Sequence, residues 1–521
     1  MPPPATLPNT RHADKKTGLL LTGSVACAMT VMDSNVVGIV LPSIARDLNA
    51  SFADIAWVIS AFVLCFAALL LPAGAVADRY GRKRVLLCGI SVYGLASIAC
   101  GLAPSTQALY VSRAIQGAGA AFLLAPALAV LGHAFHEEAE RTRAWAVWGV
   151  IMGIAMVLSP IIGGIIDTYS GWRWAFHVNA PLCALLAAAV VKFVDESRDA
   201  SPKPLDFAGI GFFACAMFSL TWALILGSEL GWHSPAVIYR AAAGVCLFGI
   251  FAMVERRRVH PMLDLSLFAS WPFVGAVVAM FAYAATAQVM ATLLPLFLQN
   301  ARGATAMTAG LAMLPFALAM LVLPQAGRIL SRYWASYNIL TLGLAIVAVG
   351  NLLLAWSAST GNSTTLIVGM IVLGSGGGLL NGETQKVIMS VIPRHRVGMA
   401  SGISTTARFS GILLGFSGLG AVLAASVRSD ILKESGDIAV TIPPALLEQM
   451  VAGDAHSAQD IFPGAVGESL LLLGRQSYAN GFAWAFLVAT GVAAIAAGIV
   501  YVSMRSRASE RHYPAPEADC A

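Results

Sequence analysis

An all-α integral membrane protein with fourteen transmembrane helices is the fold class this sequence predicts, and three observations carry the prediction. Of 521 residues, 58% are hydrophobic and only 11% are Asp, Glu, Lys or Arg, against about 25% charged for a soluble domain; the mean hydropathy is +0.76. Apolar runs of roughly twenty residues, each sufficient to cross a ~30 Å hydrocarbon core, recur along the whole chain. Most of the 32 Lys and Arg residues gather in alternate connections. With an even number of spans, the positive-inside rule then puts both termini in the cytoplasm.

The spans fall at approximately 18–44, 54–77, 84–102, 107–133, 143–167, 174–194, 205–228, 237–255, 272–299, 305–328, 337–357, 363–389, 399–427 and 478–504. A weak repeat groups them: Gly327-Arg328-Ile329-Leu330-Ser331-Arg332-Tyr333 aligns with Gly74-Ala75-Val76-Ala77-Asp78-Arg79-Tyr80 at an offset of 253 residues, so span 2 maps onto span 10. The expected organisation is a cytoplasmic N-tail (1–17), an N-terminal six-helix bundle (18–194), a polar cytoplasmic linker (195–204), two additional helices (205–255), a cytoplasmic loop (256–271), a C-terminal six-helix bundle (272–504) and a cytoplasmic C-tail (505–521). An extracellular loop at about 429–475 contains the amphipathic pieces Pro444–Met450 and Gly467–Leu473, and reads either as a solvated surface loop or as a lid over a vestibule.

Several function classes lose support. The +5 net charge is dispersed among loops and leaves no nucleic-acid footprint. The eight cysteines show no paired spacing; seven (Cys27, Cys65, Cys88, Cys100, Cys183, Cys215, Cys246) lie in or beside apolar segments, where cysteine behaves as a small hydrophobe. No phosphate-cradling G-x-x-x-x-G-K-[S/T] loop is present. A membrane enzyme would cluster His and acidic residues at one interface. The one such group, His133, His136, Glu137 and Glu138, has H-x-x-H spacing and reads as a solvated loop before it reads as a metal site. The first apolar run is too long for a signal-peptide core and reads as a retained helix.

The loop Gly74-Ala75-Val76-Ala77-Asp78-Arg79-Tyr80-Gly81-Arg82-Lys83-Arg84 carries four cations and one acid between two apolar spans. Gly74 permits close helix approach, and Gly81 permits the positive φ of a sharp reversal. The loop resembles the G-x-L-a-D-r-x-G-r-k-r signature between the second and third helices of the major facilitator superfamily, departing at Val76. The resemblance implies two six-helix bundles, here with two extra central helices, and a substrate site between them near the midplane.

Ionised residues inside a bilayer cost roughly 2.5–3.5 kcal/mol each on insertion scales, so each one needs a reason. Asp33, in Met32-Asp33-Ser34-Asn35-Val36-Val37-Gly38-Ile39-Val40-Leu41-Pro42, resembles the span-1 motif l-D-x-T-i-V-N-v-A-L-P of the fourteen-helix drug:proton antiporters, the quaternary-ammonium and multidrug exporter type. A carboxyl in a low-dielectric cavity has its charged form disfavoured, which suits it to load and release a proton; a structural role is the alternative. Arg113, in a span-4 segment resembling R-x-x-Q-G-x-G, always carries charge and either takes part in proton transfer, as the resemblance implies, or serves as a hydrogen-bond hub. Gln116 and the two following glycines read as close-packing positions. Gly149, Gly153, Pro160, Gly163 and Gly164 in span 5 resemble the antiporter motif g-x-x-x-G-P-x-x-G-G, with Ser159 in place of a glycine. Trp172-Arg173-Trp174 with Asn179 and Pro181 resembles W-R-W-x-F-x-x-N-x-P, and its tryptophans suit an interfacial belt. Glu383 and Lys386 share a helix face and either neutralise each other or leave Glu383 facing the cavity. Arg408 resembles a recurrent span-13 arginine. Substrate-cavity candidates are Asp33, Trp57, Phe62, Trp148, Met152, Phe297 and Glu383, the aromatics through cation–π contacts. Span 10 (Thr305–Gly327) has no acid, which disfavours divalent cations as substrates.

What the resemblance implies is a non-enzymatic, proton-coupled exporter of lipophilic, cationic drugs or toxic compounds, conferring antibiotic resistance. It would be multi-pass in a bacterial cytoplasmic (inner) membrane, with the lipid bilayer, protons and a drug-like small molecule as partners, no cofactor, no nucleic acid, and a monomeric state. A dedicated exporter of one non-cationic antibiotic or metabolite is the alternative.

Overall fold

The computed structural model describes residues 10–135, 137–198, 206–258, 265–390, 397–437, 442–462 and 464–508. Among them, fourteen helical spans are long and apolar enough to cross a membrane: Lys15–Asp47, Phe52–Tyr80, Arg82–Gly101, Thr106–Ala134, Arg143–Ser170, Arg173–Phe193, Phe207–Gly227, Pro235–Arg257, Trp271–Asn300, Ala306–Leu330, Ser336–Thr360, Ser363–Ile388, Ile403–Ser435 and Ala465–Arg505. They are numbered 1 to 14 below. Helix is the form these segments take because lipid offers backbone groups no partners, so each must be satisfied within the segment. Polar side chains start the helices where lipid ends. Ser51 and Asp54 form a reciprocal capping box on span 2, Ser105 caps span 4, Asp206 caps span 7 and Thr305 caps span 10.

The predicted tails, linker, 256–271 loop and His136 lie wholly or partly outside the described residues. Two predicted boundaries are corrected. Helix runs from Val397 to Asp437 and again from Ala465 to Ala508, so the predicted 429–475 loop shrinks at both ends and Gly467–Leu473 belongs to span 14. A helix does not end where its apolar core ends; it runs on through polar residues until local sequence stops it, and Gly464, with φ of 81°, stands immediately before the start of the second helix.

The two sets of six spans repeat one another. Spans 2 and 4, 3 and 4, 3 and 6, and 1 and 5 pack together, and so do 10 and 12, 11 and 12, 11 and 14, and 9 and 13. Small residues make the same approach in each half. A methyl group on Gly117 would lie 2.2 Å from the Phe62 carbonyl oxygen, and one on Gly374 would lie 2.4 Å from that of Phe316. Spans 1 and 9, 5 and 10, and 2 and 13 then meet across the seam between halves. Spans 7 and 8 pair with each other, and span 7 also touches span 2 of one half and span 13 of the other. The face where span 1 starts and span 14 ends is called the terminal face here, and the opposite one the distal face.

Candidate functional site

Asp33 lies midway along span 1, where it is 4% exposed, and Arg113 of span 4 is 1% exposed. Arg113 Nη1 donates to Asp33 Oδ2 at 2.5 Å and to Gln116 Oε1 at 2.8 Å, while its Nε donates to the Val58 carbonyl at 3.2 Å. Gln116 Nε2 donates to Asp33 Oδ1 at 2.9 Å and to Ser97 Oγ at 2.8 Å. Asn179 Nδ2 reaches the same two oxygens at 3.2 and 3.4 Å. The guanidinium lies 4.2 Å from the Phe62 ring centre and 5.8 Å from that of Phe176. Spans 1, 3, 4 and 6 thus converge on one carboxylate, each of whose oxygens accepts a hydrogen bond from an amide or guanidinium donor. The position that matches Asp33 in the C-terminal half carries no charge. The residue 253 positions after Asp33 is Thr286, buried in a π-helical turn, Ala284–Gln288, whose carbonyl accepts from Asn351 Nδ2 at 3.2 Å.

A buried ion pair contributes little net stability when intact, but removing one partner costs about 3–5 kcal/mol because the other charge is stranded. Arg113→Met is therefore expected to lower the detergent melting temperature sharply, and Asp33→Asn added to it should recover part of the loss. Equal melting of the single and double variants would show that the pair carries no mutual compensation.

The structure brings together Asp33 and Arg113 of the predicted residues and adds Ser97, Gln116 and Asn179. Gln116 is a hydrogen-bonding member of the cluster, a correction to its reading as a packing position; Gly117 and Gly119 do the packing. Ser97 gave no signal, since serine is unremarkable in an apolar helix. Gln116 and Asn179 carried one, because a buried amide needs partners.

In the basic loop, Arg82 Nη2 and Nε donate to Asp78 Oδ1 at 2.8 and 3.0 Å. Gly81 has φ of 113°, and a methyl there would strike the Glu196 carboxylate, which accepts from the Lys83 backbone N–H at 3.1 Å. The start of the linker therefore holds the loop. Gly74 is corrected: a methyl there would meet only Ala125, at 4.0 Å, so no tight approach depends on it. Arg79 stacks its guanidinium over Tyr80.

Along span 5, Gly164 is wedged against the backbone of Ala306 and Met307 across the seam, at 2.6 and 2.9 Å for an added methyl. The Pro160 carbonyl stands in the same relation to Gly310, at 2.3 Å. Gly163 packs on Val36 and Ile39 within its own half, Gly153 meets the Leu321 side chain, and Gly149 has open space. Trp172 is 4% exposed, against the interfacial reading, because its Nε1 donates to Asp47 at 3.0 Å. Arg173 pairs with the same carboxylate; Trp174, 55% exposed, does face outward.

The cavity candidates scatter. Phe62 lies beneath Arg113. Trp57 is taken up in an aromatic chain, 6.5 Å from Tyr110 and 5.5 Å from Phe218 of span 7. Phe297 is fully buried among Phe482 and Phe486. Both rings are engaged with aromatic side chains of neighbouring spans. Trp148 and Met152 are partly buried on span 5. Glu383 is 4% exposed, adjoins Gly327 near the terminal end of span 10, and receives Lys386 Nζ at 3.2 Å; the paired reading fits this geometry. Arg408 Nη2 donates to Asn381 Oδ1 at 2.5 Å. Among the described residues, no three His, Cys, Asp or Glu side chains gather as a metal site.

Fourteen spans in repeated halves, joined along a seam and enclosing a charged pair, define a membrane transporter rather than an enzyme. The sequence matches the Major Facilitator Superfamily over residues 23–416. It is 36% identical over 411 residues to the multidrug resistance protein Stp of Mycobacterium tuberculosis, covering 78% of this chain and 75% of that protein. It is 30% identical over 512 residues to the tetracenomycin C resistance and export protein of Streptomyces glaucescens, covering 95% and 94%. In fold it resembles the crystal structure of a bacterial homologue of the human lysosomal transporter Spinster in an inward-facing, unoccupied conformation, with TM-score 0.64, 17% identity and coverage of 98% and 100%. The chain belongs to the major facilitator superfamily.

Proposed function

We propose that the protein is a proton-coupled antiporter that exports lipophilic, cationic drugs or toxic compounds across a bacterial cytoplasmic membrane by alternating access, with its terminal face in the cytoplasm. The observation that carries this reading is the Asp33–Arg113 pair. It is the one buried acid in the N-terminal half whose cationic partner comes from a different span and is itself buried among the described residues. Protonation of Asp33 from the distal side removes the charge that holds Arg113, Gln116 and Asn179 together and so favours one packing of the halves over the other. The resistance and export roles in the names of two relatives support export as the direction. Substrate contact is assigned to the partly buried face of span 5 that includes Trp148 and Met152. Gly164 and Gly310 close the distal seam, and the Gly74–Arg82 loop steadies the terminal side.

The test is luminal pH in proteoliposomes loaded with a pH dye. External ethidium or a quaternary ammonium that enters in exchange for protons should raise luminal pH. No response from folded protein would sink cationic drug:proton antiport. The likeness to the tetracenomycin C export protein over nearly the whole chain favours, as a second reading, a dedicated exporter of one non-cationic antibiotic or metabolite.

A further inference from the structure

Between spans 13 and 14, on the distal face, the helix Pro444–Ala452 is anchored at several points to the C-terminal half. Arg428 of span 13 pairs with Glu448 at 2.7 Å. Tyr478 of span 14, fully buried, donates its hydroxyl to the Val451 carbonyl at 2.6 Å. Met450, also fully buried, sits against Gly474. Gly453, with φ of 104°, stops the helix beside Asn300.

The other side of this helix reaches the N-terminal half. It packs on spans 1 and 2, and Gln449 Nε2 donates to Asn49 Oδ1 at 3.4 Å. Asn49 occupies the turn between those spans and is the one non-glycine residue with positive φ among the described residues, at 49°. Where this helix ends, lined by Gly453 and the Asp454–His456 stretch that follows, lies a cavity of about 280 Å³ whose walls come from both halves, including Arg46, Asp167, Gln299 and Arg475. The anchoring is unequal. An ion pair with Arg428, a hydroxyl bond from buried Tyr478 and the Met450 contact at Gly474 hold the helix to the C-terminal half, whereas its one polar bond to the N-terminal half among the described residues is the long amide contact at Asn49, beside apolar packing on spans 1 and 2.

We infer that Pro444–Ala452 is a lid that stays with the C-terminal half throughout the cycle and seals the distal seam by docking on the Asn49 turn. For the distal cavity to open, the contact at Asn49 must part while that at Arg428 stays. This rests on the exporter reading, since a lid needs a cycle that opens the distal face.

Two cysteine pairs separate the two contacts, each built in a cysteine-depleted parent of measured transport. Asn49→Cys with Gln449→Cys bridges the seam; Arg428→Cys with Glu448→Cys ties the helix within its own half. Both should cross-link in resting protein. Oxidised Asn49→Cys/Gln449→Cys should retain less than a tenth of the transport of its reduced form and recover on reduction, while oxidised Arg428→Cys/Glu448→Cys should stay within twofold of its own reduced form. Unimpaired transport by the oxidised cross-seam pair, or equal block by both pairs, would overturn the lid. So would failure of the cross-seam pair to form, a readout that needs no substrate. A reduced parent that transports nothing would count against the exporter reading, with cross-linking yield still judging the docking.

Discussion

Asp33→Asn is expected to reduce substrate-driven proton movement to the level of protein-free liposomes. The substitution keeps the shape of the side chain and an oxygen that accepts from Gln116 or Asn179, so the four spans can still converge. What it removes is the ability to gain or lose a proton, and with it the charge facing Arg113. Stability will also fall, because the guanidinium at 1% exposure loses its counter-charge; a cost of about 3–5 kcal/mol is the usual scale for a stranded buried ion. Three readouts separate coupling from mere support. Folded protein, judged by gel filtration, should remain; proton flux per folded molecule should vanish; Asp33→Glu should restore part of it. Proton flux retained per folded molecule in Asp33→Asn would remove Asp33 from the mechanism, whatever its melting temperature.

Gly164→Leu should nearly abolish transport by a different route. The atoms facing Gly164 are backbone atoms of Ala306 and Met307 in the other half, so a side chain cannot be accommodated by rotating a neighbour. Overpacking of this kind typically costs about 1–3 kcal/mol. The cost falls on the conformation in which spans 5 and 10 touch, so the equilibrium between seam-closed and seam-open forms moves by roughly 5–150-fold. The expected signature is loss of transport with faster reaction of a cysteine at Thr168, which borders the distal cavity, with a membrane-impermeant maleimide. Gly149→Leu, placed where the structure leaves open space, is the matched control and should transport within a few-fold of the parent. Equal effects at both positions would show that helix stiffness, rather than contact across the seam, is what the motif supplies.

The spans were legible because bilayer thickness fixes their length and lipid fixes their composition. The fourteen predicted segments each correspond to a helix. The helix ends were less legible: Asp437 and Ala465 lie beyond the apolar core, where local breakers decide, and the 429–475 estimate followed hydropathy alone. Asp33 and Arg113 stood out because a charge in an apolar run has few innocent explanations. Their uncharged partners did not, since hydropathy says nothing about which face of span 3 carries Ser97 or how span 6 turns Asn179 inward. Aromatics were the least legible. Trp57 and Phe297 fit a cavity by chemistry, but packing decides where a ring points, and both are used to join helices.

Span 7, touching both halves at spans 2 and 13, makes the two flanks of the molecule unlike as seen from the lipid. On that flank the seam is screened by a helix that Trp57, Phe218 and Trp222 fasten in a row. On the other, among the described residues, spans 5 and 10 meet with no third span laid over them as span 7 is, and Val150, Ile154, Leu158, Leu311, Leu318 and Val322 are all more than 40% exposed. A solute already dissolved in the hydrocarbon meets a covered side and an uncovered one. Of the two flanks, the one at spans 5 and 10 is therefore where the seam between the halves runs without a covering span, so any change in the width of the seam is felt there and is masked at span 7.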